Sequence, residues 1–419
     1  MTDNYKNMGG DGIISPEQSA QDQNMMTVAI ALAERHIGRT WPNPSVGCVI
    51  VQNGPDHATR SKIIGRGVTA LGGRPHGETI ALTEAGALAK GATAYVTLEP
   101  CCHHGVTPPC TDALIEAGIK RVVIGMIDPD PRMDGGGVMR LRQAGIAVTQ
   151  LKLTNDLAVR CHALVAGFVT RMQKKRPLVS VKIASSLDAR IATSTGESRW
   201  ITGQAARQRG HLLRARHDAI MIGSGTALTD DPMLDCRLPG MADWSPLRII
   251  LDGRLRLPLD TKLVKTGSTL PTWLFTDETH LNAAKSPQAA AKIDQLTNAG
   301  VKIFGVARCA QGHLDLTAIL SALAAQGLTS ILVEGGGGVI ASVIKQNYLD
   351  RLYWFRAPII IGGDGVAAIP NALYDAQPAL AALANLPRRA LIGSEEFLGD
   401  TKINGTNSVE KLEIYQCLR

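Results

Sequence analysis

The sequence predicts an α/β protein made of two consecutive domains. Its 419 residues suit two domains of about 100–200 residues each. Short runs of β-branched residues alternate with helix-like segments along most of the chain, and this alternation is typical of a parallel or mixed sheet with helices packed on it. Hydrophobic residues make up 45% of the chain, which is enough for each domain to form a core.

The strand and helix signals follow one another in a regular order. In the first half they are a helix at 26–35, a strand at 46–51, a helix at 78–89, a strand at 94–98, a helix after Cys110 and a strand at 121–128. In the second half the strand signals lie at 178–184, 219–223, 247–252, 272–276, 301–307 and, before a run of glycines, 330–333. Short apolar runs of this kind are typical of buried strands.

Two segments interrupt this order. The first 24 residues are polar and rich in glycine, so we expect residues 1–24 to form a disordered tail and not a signal peptide. Residues 171–177, RMQKKRP, are charged and end in proline. We assign 173–176 to a linker, with the basic end of a helix as the equal alternative, and place the two domains at 25–172 and 177–419.

The composition excludes several classes of protein. No apolar run approaches the roughly 18 residues that a membrane span needs. The net charge is +7 but aromatic residues make up only 4%, so stacking platforms for nucleic acid are scarce and a phosphorylated small molecule explains the charge better. Three of the eight cysteines cluster and the others are scattered, which indicates a metal site in a reducing cytoplasm and not a disulfide framework.

The cysteine cluster lies in the stretch EPCCHHGVTPPC, residues 99–110. Cys110 follows two prolines at the predicted start of a helix, where the helix dipole and free N–H groups stabilise a thiolate. Cys101 lies where the preceding strand-to-helix loop begins. A catalytic zinc needs a third protein ligand and an open position, and upstream the chain reads RPHGET, which contains His76 and Glu78.

This order corresponds to the zinc deaminase signature H-x-E followed by P-C-x-x-C, in which the glutamate moves protons and does not bind the metal. Eight residues separate Cys101 from Cys110, where the signature has two. In this interpretation zinc makes water a nucleophile near neutral pH, and Glu78 transfers its proton to the ring nitrogen and the leaving amine. The alternative is a structural zinc, which leaves the upstream histidine and glutamate without a role. Its ligands would be Cys101, Cys102, Cys110 and His103 or His104.

Two features of the second half indicate phosphate binding. A strand runs into the glycines of ILVEGGGGV, and such a turn brings backbone N–H groups close to a phosphate, although a glycine turn without a ligand is an equal alternative. Arg207, His211 and Arg214 lie at i, i+4 and i+7 of a predicted helix. They therefore share one face, which either binds a phosphate or is simply solvated.

Longer motifs extend both patterns. The first set consists of WPNPSVGCVIV, HGE and TLEPCCHHGVTPPCTDALIEAGIKRVVIGMIDPDP, and the second of KIASSLDARIATSTGESRWIT, GSGTALTDDPMLDCR and ILVEGGGGV. In these motifs and their order, the chain resembles the bifunctional deaminase/reductase family of riboflavin biosynthesis over nearly its whole length from Met25. The resemblance implies a cytidine-deaminase-like domain, with a mixed sheet and helices on both faces, followed by a dihydrofolate-reductase-like α/β domain.

The resemblance also implies site residues. In the first domain His76, Cys101 and Cys110 would bind Zn²⁺, Glu78 would be the proton shuttle, and Asn43 would meet the pyrimidine. In the second domain the residues lining NADPH would be Ala184, Trp200, Thr226, Asp230, Gly253, Gly336, Gly337 and Gly338. The phosphoribosyl substrate would be held by Ser198, Arg214, Leu234, Arg237 and Glu334. The catalytic residues near the hydride path would be Lys182 and Asp188.

Four positions depart from the family pattern. Cys102 stands where the family has serine, Asp130 replaces asparagine and Ala189 replaces glycine. Val106 stands where the family has a basic residue that contacts the substrate. This departure therefore weakens the expectation that this loop binds the substrate, and not the expectation of a zinc site.

The sequence therefore predicts one cytoplasmic, homo-oligomeric protein with two active sites, binding neither nucleic acid nor membrane. The first site would deaminate 2,5-diamino-6-(5-phosphoribosylamino)pyrimidin-4(3H)-one, and the second would reduce the ribosyl group with NADPH, giving 5-amino-6-(5-phosphoribitylamino)uracil. One alternative is a nucleic-acid base deaminase, against which the long insert between the cysteines, the few aromatic residues and the second domain argue. The other is a non-catalytic regulator that binds flavin-pathway metabolites, against which the intact Glu78 and metal ligands argue.

Overall fold

The computed structural model describes residues 16–54, 61–130, 132–133, 135–152, 155–282, 287–369, 389–403 and 406–417. The internal contacts of the chain divide it into two compact units, Met1–Lys174 and Lys175–Arg419, called the first and the second unit below. In the described ranges, none of the helices combines the length and the apolar character that a membrane crossing requires.

The described part of the first unit is built around a single mixed sheet. Its helices are α1 (Pro16–Glu34), α2 (Gly77–Ala85), α3 (Cys110–Glu116), α4 (Gly136–Gln143) and α5 (Asp156–Lys174). Its strands are β1 (Gly47–Gln52), β2 (Lys62–Val68), β3 (Thr93–Val96), β4 (Arg121–Ile124) and β5 (Ala147–Gln150). The strand order is β2-β1-β3-β4-β5. Strand β1 is antiparallel to both neighbours, whereas β3, β4 and β5 run parallel to one another.

Helices cover both faces of this sheet. Val49 and Ile50 in β1 point to opposite faces because side chains alternate along a strand, and both are 0% exposed. Helices α1 and α2 both contact β1. A Cβ atom at Gly67 would lie 1.9 Å from the carbonyl oxygen of Gly77, so the missing side chain lets the start of α2 approach the sheet closely.

The N-terminal turns of α1 correct the predicted tail. Asp22 is 5% exposed, and its carboxylate accepts hydrogen bonds from the Arg121 guanidinium at 2.8 and 2.7 Å and from the Tyr95 hydroxyl at 3.0 Å. The prediction of disorder over residues 1–24 is therefore wrong for 16–24, because the polar Asp22 has a buried partner 99 positions away. The rest of the predicted tail lies outside the described residues.

The predicted linker at 173–176 is also wrong at its start. Helix α5 continues through Lys174 and carries Arg171 in its last turn, where cations interact favourably with the helix dipole. Arg176 is 7% exposed, and its guanidinium binds the Asp350 carboxylate at 2.5 and 2.9 Å. The basic segment is thus the end of a helix followed by a residue packed into the second unit.

The described part of the second unit contains a larger sheet and its helices. The helices are α6 (Gln204–Ala215), α7 (Ser224–Asp230), α8 (Lys262–Lys265), α9 (Pro287–Asn298), α10 (Leu316–Ala325) and α11 (Gly337–Lys345). The strands are β6 (Leu178–Ser185), β7 (Arg190–Ala192), β8 (Ala219–Gly223), β9 (Leu247–Leu251), β10 (Thr272–Asp277), β11 (Val301–Val306), β12 (Ser330–Val333), β13 (Arg351–Arg356), β14 (Val366–Ala367), β15 (Arg389–Ile403) and β16 (Thr406–Cys417).

The strand order of the large sheet is β11-β10-β9-β8-β12-β6-β13-β16-β15. The strands from β11 to β13 are parallel, and the hairpin β15–β16 adds an antiparallel edge. After β8 the chain continues to β9, toward one edge of the sheet. After β12 it continues to β13, toward the opposite edge. Such a reversal opens a crevice at the carboxyl ends of the two central strands, which is where open α/β sheets bind ligands.

Candidate active sites

The start of α2 positions the first two site residues. His76 is the extended residue that precedes the helix, and Glu78 lies in the first turn. Glu78 is 3% exposed, and no hydrogen-bond partner for its Oε2 atom is found among the described residues. Burial raises the pKa of the Glu78 carboxyl above its ordinary value, because desolvation disfavours the charged form.

The two cysteines come from the loop after β3 and from the first residue of α3. The backbone N–H of Cys110 donates to Cys101 Sγ at 3.2 Å. Hydrogen bonding from Cys110 lowers the pKa of the Cys101 thiol to about 4. The sequence predicted that the helix start would stabilise the thiolate of Cys110, but the N–H group at this helix start points to the other ligand.

The three predicted zinc ligands are brought together. Their ligand atoms all lie within 4.8 Å of one another, and His76 Nδ1 lies 3.3 Å from Cys110 Sγ and 3.7 Å from Cys101 Sγ. With Zn–N and Zn–S bonds of about 2.0 and 2.3 Å, tetrahedral nitrogen and sulfur ligands lie about 3.6 Å apart. The donor set therefore fits zinc, and three protein ligands leave a fourth position open.

The alternative structural cluster is not assembled. In the part of the chain that the structure describes, the group of possible metal ligands at this site contains neither Cys102 nor the two following histidines. Cys102 Sγ lies 3.9 Å from Met133 Sδ, and His103 Nδ1 lies 3.1 Å from the same sulfur. His104 Nε2 lies 3.9 Å from an Asp112 carboxylate oxygen. These contacts hold the three side chains apart from the zinc ligands.

A cavity of about 410 Å³ opens beside the zinc ligands and Glu78. Asn43 lines it, and its amide nitrogen donates to the Gly73 carbonyl at 2.8 Å, so the side-chain oxygen is left to meet a substrate. Asp128 also lines it, and burial raises the pKa of its carboxyl to about 7. Sequence reasoning missed Asp128, Arg132 and Arg171, which belong to the lining but are separated from the zinc motifs along the chain.

The insert between the cysteines forms one wall of this cavity. Val106 lines the cavity yet is 86% exposed. Arg74, two residues before His76, also lines it, and its guanidinium donates to Thr107 Oγ1 at 2.6 Å. No carboxylate partner of Arg74 is found among the described residues. Arg74 therefore supplies a positive charge next to the position that lacks the family's basic residue.

In the second unit, three predicted site residues form a partly buried charged cluster. The Arg214 guanidinium on α6 binds both carboxylate oxygens of Glu334, which follows β12, at 2.8 and 2.9 Å. Burial lowers the pKa of the Lys182 ammonium on β6, and the nearby Glu334 opposes this. His211 Nδ1 lies 3.1 Å from the Asp235 carbonyl oxygen. Two of the three residues on the predicted helix face, His211 and Arg214, therefore contact other parts of the chain, so the face is only partly solvated.

The glycine turn after β12 fits a phosphate. Gly335 and Gly336 have φ values of 145° and 74°, which only glycine adopts readily, and α11 begins at the next residue. Cβ atoms at Gly335 and Gly336 would lie 3.2 and 3.5 Å from Thr226 Oγ1. The turn thus lies against Thr226 at the start of α11, and the first N–H groups of a helix have no partner within the helix, which is the arrangement that binds phosphates in other proteins. Sequence reasoning missed Gly335.

The other predicted residues of the second unit lie in varied surroundings. Trp200 is 71% exposed and lies under the Arg207 guanidinium, 4.5 Å from the ring centre. Asp188 accepts hydrogen bonds from the Ser186 hydroxyl and from the backbone of Ile361 and Gly362, so both of its oxygens hold a loop. Asp230 ends α7 and is exposed, as are Ser198 and Arg237, whereas Leu234 is buried. The remaining predicted residues are Ala184 on β6, Gly253 after β9, and Gly337 and Gly338 in the first turn of α11.

Comparisons with known proteins show the family of each part of the chain. The family model of the cytidine and deoxycytidylate deaminase zinc-binding region matches residues 19–126, and that of the RibD C-terminal domain matches 177–388. Riboflavin biosynthesis protein RibD of Bacillus amyloliquefaciens is 41% identical over 342 residues, covering 82% of this chain and 86% of its own. The RibD protein of Escherichia coli strain K12 is 37% identical over 364 residues, covering 84% and 92%.

Two solved structures extend the similarity to nearly the whole fold. Acinetobacter baumannii RibD superposes with a TM-score of 0.76 at 33% identity, covering 96% of this chain and 99% of its own. The diaminohydroxyphosphoribosylaminopyrimidine deaminase/5-amino-6-(5-phosphoribosylamino)uracil reductase of Thermotoga maritima gives 0.75 at 31% identity, covering 95% and 99%.

Fold and sites together define a bifunctional enzyme, in which a zinc-dependent deaminase domain with a cytidine-deaminase-like fold precedes a reductase domain. The chain belongs to the RibD family of riboflavin biosynthesis. Its cofactors are Zn²⁺ and NADPH.

Proposed function

We propose that the first unit hydrolyses the C2 amino group of 2,5-diamino-6-(5-phosphoribosylamino)pyrimidin-4(3H)-one, and that the second unit reduces the ribosyl group of the product to ribityl with NADPH. The observation that carries the deaminase assignment is the buried, unpartnered Glu78 Oε2 beside three converging zinc ligands. The name of the Thermotoga maritima relative specifies both a deaminase and a reductase reaction. This supports the choice of substrate.

In the deaminase, His76, Cys101 and Cys110 would hold the zinc. When bound there, zinc would lower the pKa of a water molecule and so supply a nucleophile near neutral pH. Glu78 would take one proton from the attacking water and pass it to the ring nitrogen, and then take the second proton from the new C2 hydroxyl group and pass it to the amine. A C2–O bond forms, the C2–N bond breaks and ammonia leaves. The raised pKa of Glu78 supports both halves of this transfer, since a strongly acidic carboxyl could not return the proton.

In the reductase, the glycine turn and Thr226 support binding of the cofactor's pyrophosphate. When bound, NADPH would supply a hydride to C1′ of the ribosyl group, while the C1′–O4′ bond breaks and O4′ takes a proton from solvent, which gives the ribityl group and NADP⁺. Lys182 lies beside the Arg214–Glu334 pair, so we assign it to the hydride path. Asp188 is also assigned to the hydride path. We give it a positioning role there, because its carboxylate oxygens accept hydrogen bonds from the backbone of the loop at 361–362.

Incubation with the diaminopyrimidine, followed by mass analysis of the product, tests the function. Without NADPH we expect exchange of an NH group for oxygen and release of ammonia. With NADPH we expect a further gain of two hydrogens and consumption of one NADPH per product. A substrate that stays unchanged in both incubations would contradict the proposal, and deamination of a polynucleotide would favour the nucleic-acid deaminase.

Three further properties stay proposals. We place the boundary between the two domains at Lys174–Lys175, directly after α5, and the protein in the cytoplasm as a homo-oligomer. The cysteines whose side chains the structure describes are free thiols. This supports a reducing compartment. Sedimentation equilibrium of the full chain measures the oligomeric state, and a monomer at enzyme concentrations would contradict that proposal.

The Arg74 side chain yields a prediction about substrate affinity. We expect Arg74→Ala to raise the KM of deamination about 5- to 30-fold, because loss of a charge-assisted hydrogen bond costs about 1–2 kcal/mol. The kcat should change little, since a group that binds ground and transition states equally affects KM alone. Val106→Arg should lower KM less than about twofold, because the neighbouring cation already occupies this wall.

Steady-state kinetics of both variants, with the exposed Arg142→Ala as a control, measure these effects. A large fall in KM for Val106→Arg with no effect of Arg74→Ala would show that the loop position itself lacks its cation. An unchanged KM in both variants would show that this wall does not touch the substrate.

A further inference from the structure

A second group of metal-ligating side chains lies beside the zinc ligands. Cys102 Sγ is 3.9 Å and His103 Nδ1 is 3.1 Å from the same atom, Met133 Sδ. The deaminase mechanism uses none of these three side chains. Because the thiol and the imidazole both meet the thioether, three donor atoms converge on one point between the insert and the segment that precedes α4.

We propose that Cys102, His103 and Met133 form a second metal site, which binds the soft monovalent ion Cu(I). This inference is independent of both proposed reactions. Thiolates and thioethers are the soft ligands that favour Cu(I), and imidazole also binds copper. On binding, the Cys102 thiol gives its proton to solvent and a thiolate–copper bond forms. The ion stays Cu(I), because no electron is transferred.

The separations suit a single ion. With metal–sulfur bonds of about 2.3 Å and bond angles of about 109–120°, two bound sulfurs lie about 3.8–4.0 Å apart. The separation between the Cys102 and Met133 sulfurs lies within this range. A nitrogen bound at about 2.0 Å lies about 3.5–3.7 Å from a bound sulfur, so the His103 ring has to move outward by about 0.5 Å. Its partly exposed position permits this movement.

The donor set and the charge favour a monovalent ion. Among the residues that the structure describes, no further histidine, cysteine or carboxylate joins Cys102 and His103 in a group of possible metal ligands, so the third donor is the thioether. Structural zinc sites almost always have four ligands drawn from cysteine, histidine and carboxylates. One thiolate neutralises Cu(I), whereas a divalent ion would keep a positive charge in a partly buried site, which costs free energy.

The two segments that carry the donors are held against each other. Glu99 begins the stretch that contains Cys102 and is 3% exposed. Its carboxylate accepts hydrogen bonds from the backbone N–H groups of Asp128 at 3.1 Å and Gly135 at 3.3 Å, which lie before and after Met133. Met133 itself is 4% exposed. The thioether is therefore fixed opposite the thiol, and binding an ion requires little rearrangement.

Cys102 makes the site a property of this chain. The family has serine at this position, and a hydroxyl is not a soft ligand. His103 lines the deaminase cavity, so an ion can reach the donors from there. Cys102→Ser therefore removes the soft thiolate and leaves a side chain that this fold accommodates.

Anaerobic competition for Cu(I) on the full, zinc-loaded chain tests the proposal. Cu(I) is supplied as its bicinchoninate complex, and the copper and zinc contents of the protein are measured together. Wild-type protein should take up one Cu(I) per chain at this site and keep its zinc. Cys102→Ser and Met133→Leu should each weaken this binding more than about tenfold and also keep zinc.

Two matched variants serve as controls. Cys309→Ser removes a partly exposed thiol of the second unit, and Met139→Leu removes an exposed thioether of α4. Neither should change the affinity for Cu(I). X-ray absorption at the copper edge should show two sulfur ligands and one nitrogen ligand in wild-type protein.

The contrary outcomes are distinct. Zinc released in step with copper uptake would show that Cu(I) takes the zinc ligands, and would overturn the second site. Wild-type protein that leaves Cu(I) with bicinchoninate, or a Cys102→Ser variant that binds it as tightly as wild type, would overturn the site as well. Retention of zinc by each variant shows that a loss of copper does not come from a misfolded first unit.

Discussion

Replacement of Glu78 by glutamine is expected to lower the rate of deamination about 10²–10⁴-fold. Glutamine keeps the shape of the side chain in its buried position, but an amide cannot take a proton from water and return it to the amine. The zinc content should be unchanged because Glu78 is not among the three converging ligands. Reduction of substrate that has already been deaminated should proceed at the wild-type rate, since that reaction belongs to the second unit.

Glu84→Gln is the matched control for this experiment. Glu84 lies on the same helix and its carboxylate binds the exposed Arg66 at 2.9 Å, away from the cavity. Ammonia release, zinc content and NADPH consumption are measured on both variants. If Glu78→Gln lowered deamination and reduction together, the assignment of two independent sites would be wrong, and unimpaired deamination would show that another group moves the proton.

Replacement of Cys110 by alanine is expected to remove zinc and with it the deaminase activity. The variant loses one of three protein ligands, and even changes outside the direct ligands lower metal affinity about 10- to 100-fold, so a larger loss follows here. Cys102→Ser is expected to retain one zinc per chain, because the Cys102 thiol lies against Met133 and not among the ligands. Metal analysis of the purified variants measures both results.

The two cysteine variants distinguish the catalytic site from the structural alternative. An empty site in Cys102→Ser would mean that adjacent cysteines share the ion and that His76 is not a ligand. Zinc retained by Cys110→Ala would exclude this residue from the donor set. The reductase activity serves as an internal control for the second unit, since it does not depend on zinc.

The sequence alone predicted three metal-ligating side chains that the structure brings together. The H-x-E and P-C motifs named His76, Glu78, Cys101 and Cys110, and the structure brings the three ligands within 4.8 Å. This agreement has a local cause. A helix starts directly after His76 and another starts at Cys110, so short spacings along the chain fix the backbone positions of these side chains. The buried strands β1, β3 and β4 were predicted for a related reason, since each contains a continuous apolar run.

Other strands could not be predicted from local patterns. Strand β2 reads KIIGRGV, in which glycines interrupt the apolar run, and it becomes a strand because it pairs with β1. Strand β13 and the hairpin β15–β16 were likewise missed, although they complete one edge of the large sheet. Strand formation depends on the partner and on burial more than on intrinsic preference, so a pattern within one segment is insufficient.

The partners of the charged groups were decided only by the tertiary structure. Sequence spacing placed Arg214 on a helix face, but its partner Glu334 lies 120 positions away. Arg74 reaches Thr107 across 33 positions, and the N–H group at the start of α3 stabilises Cys101 and not the residue that begins the helix. The sequence determined which chemical groups are present and, through local spacing, which metal they suit. Which charge meets which partner depends on long-range packing, because electrostatic interactions act through space between residues that the fold alone brings together.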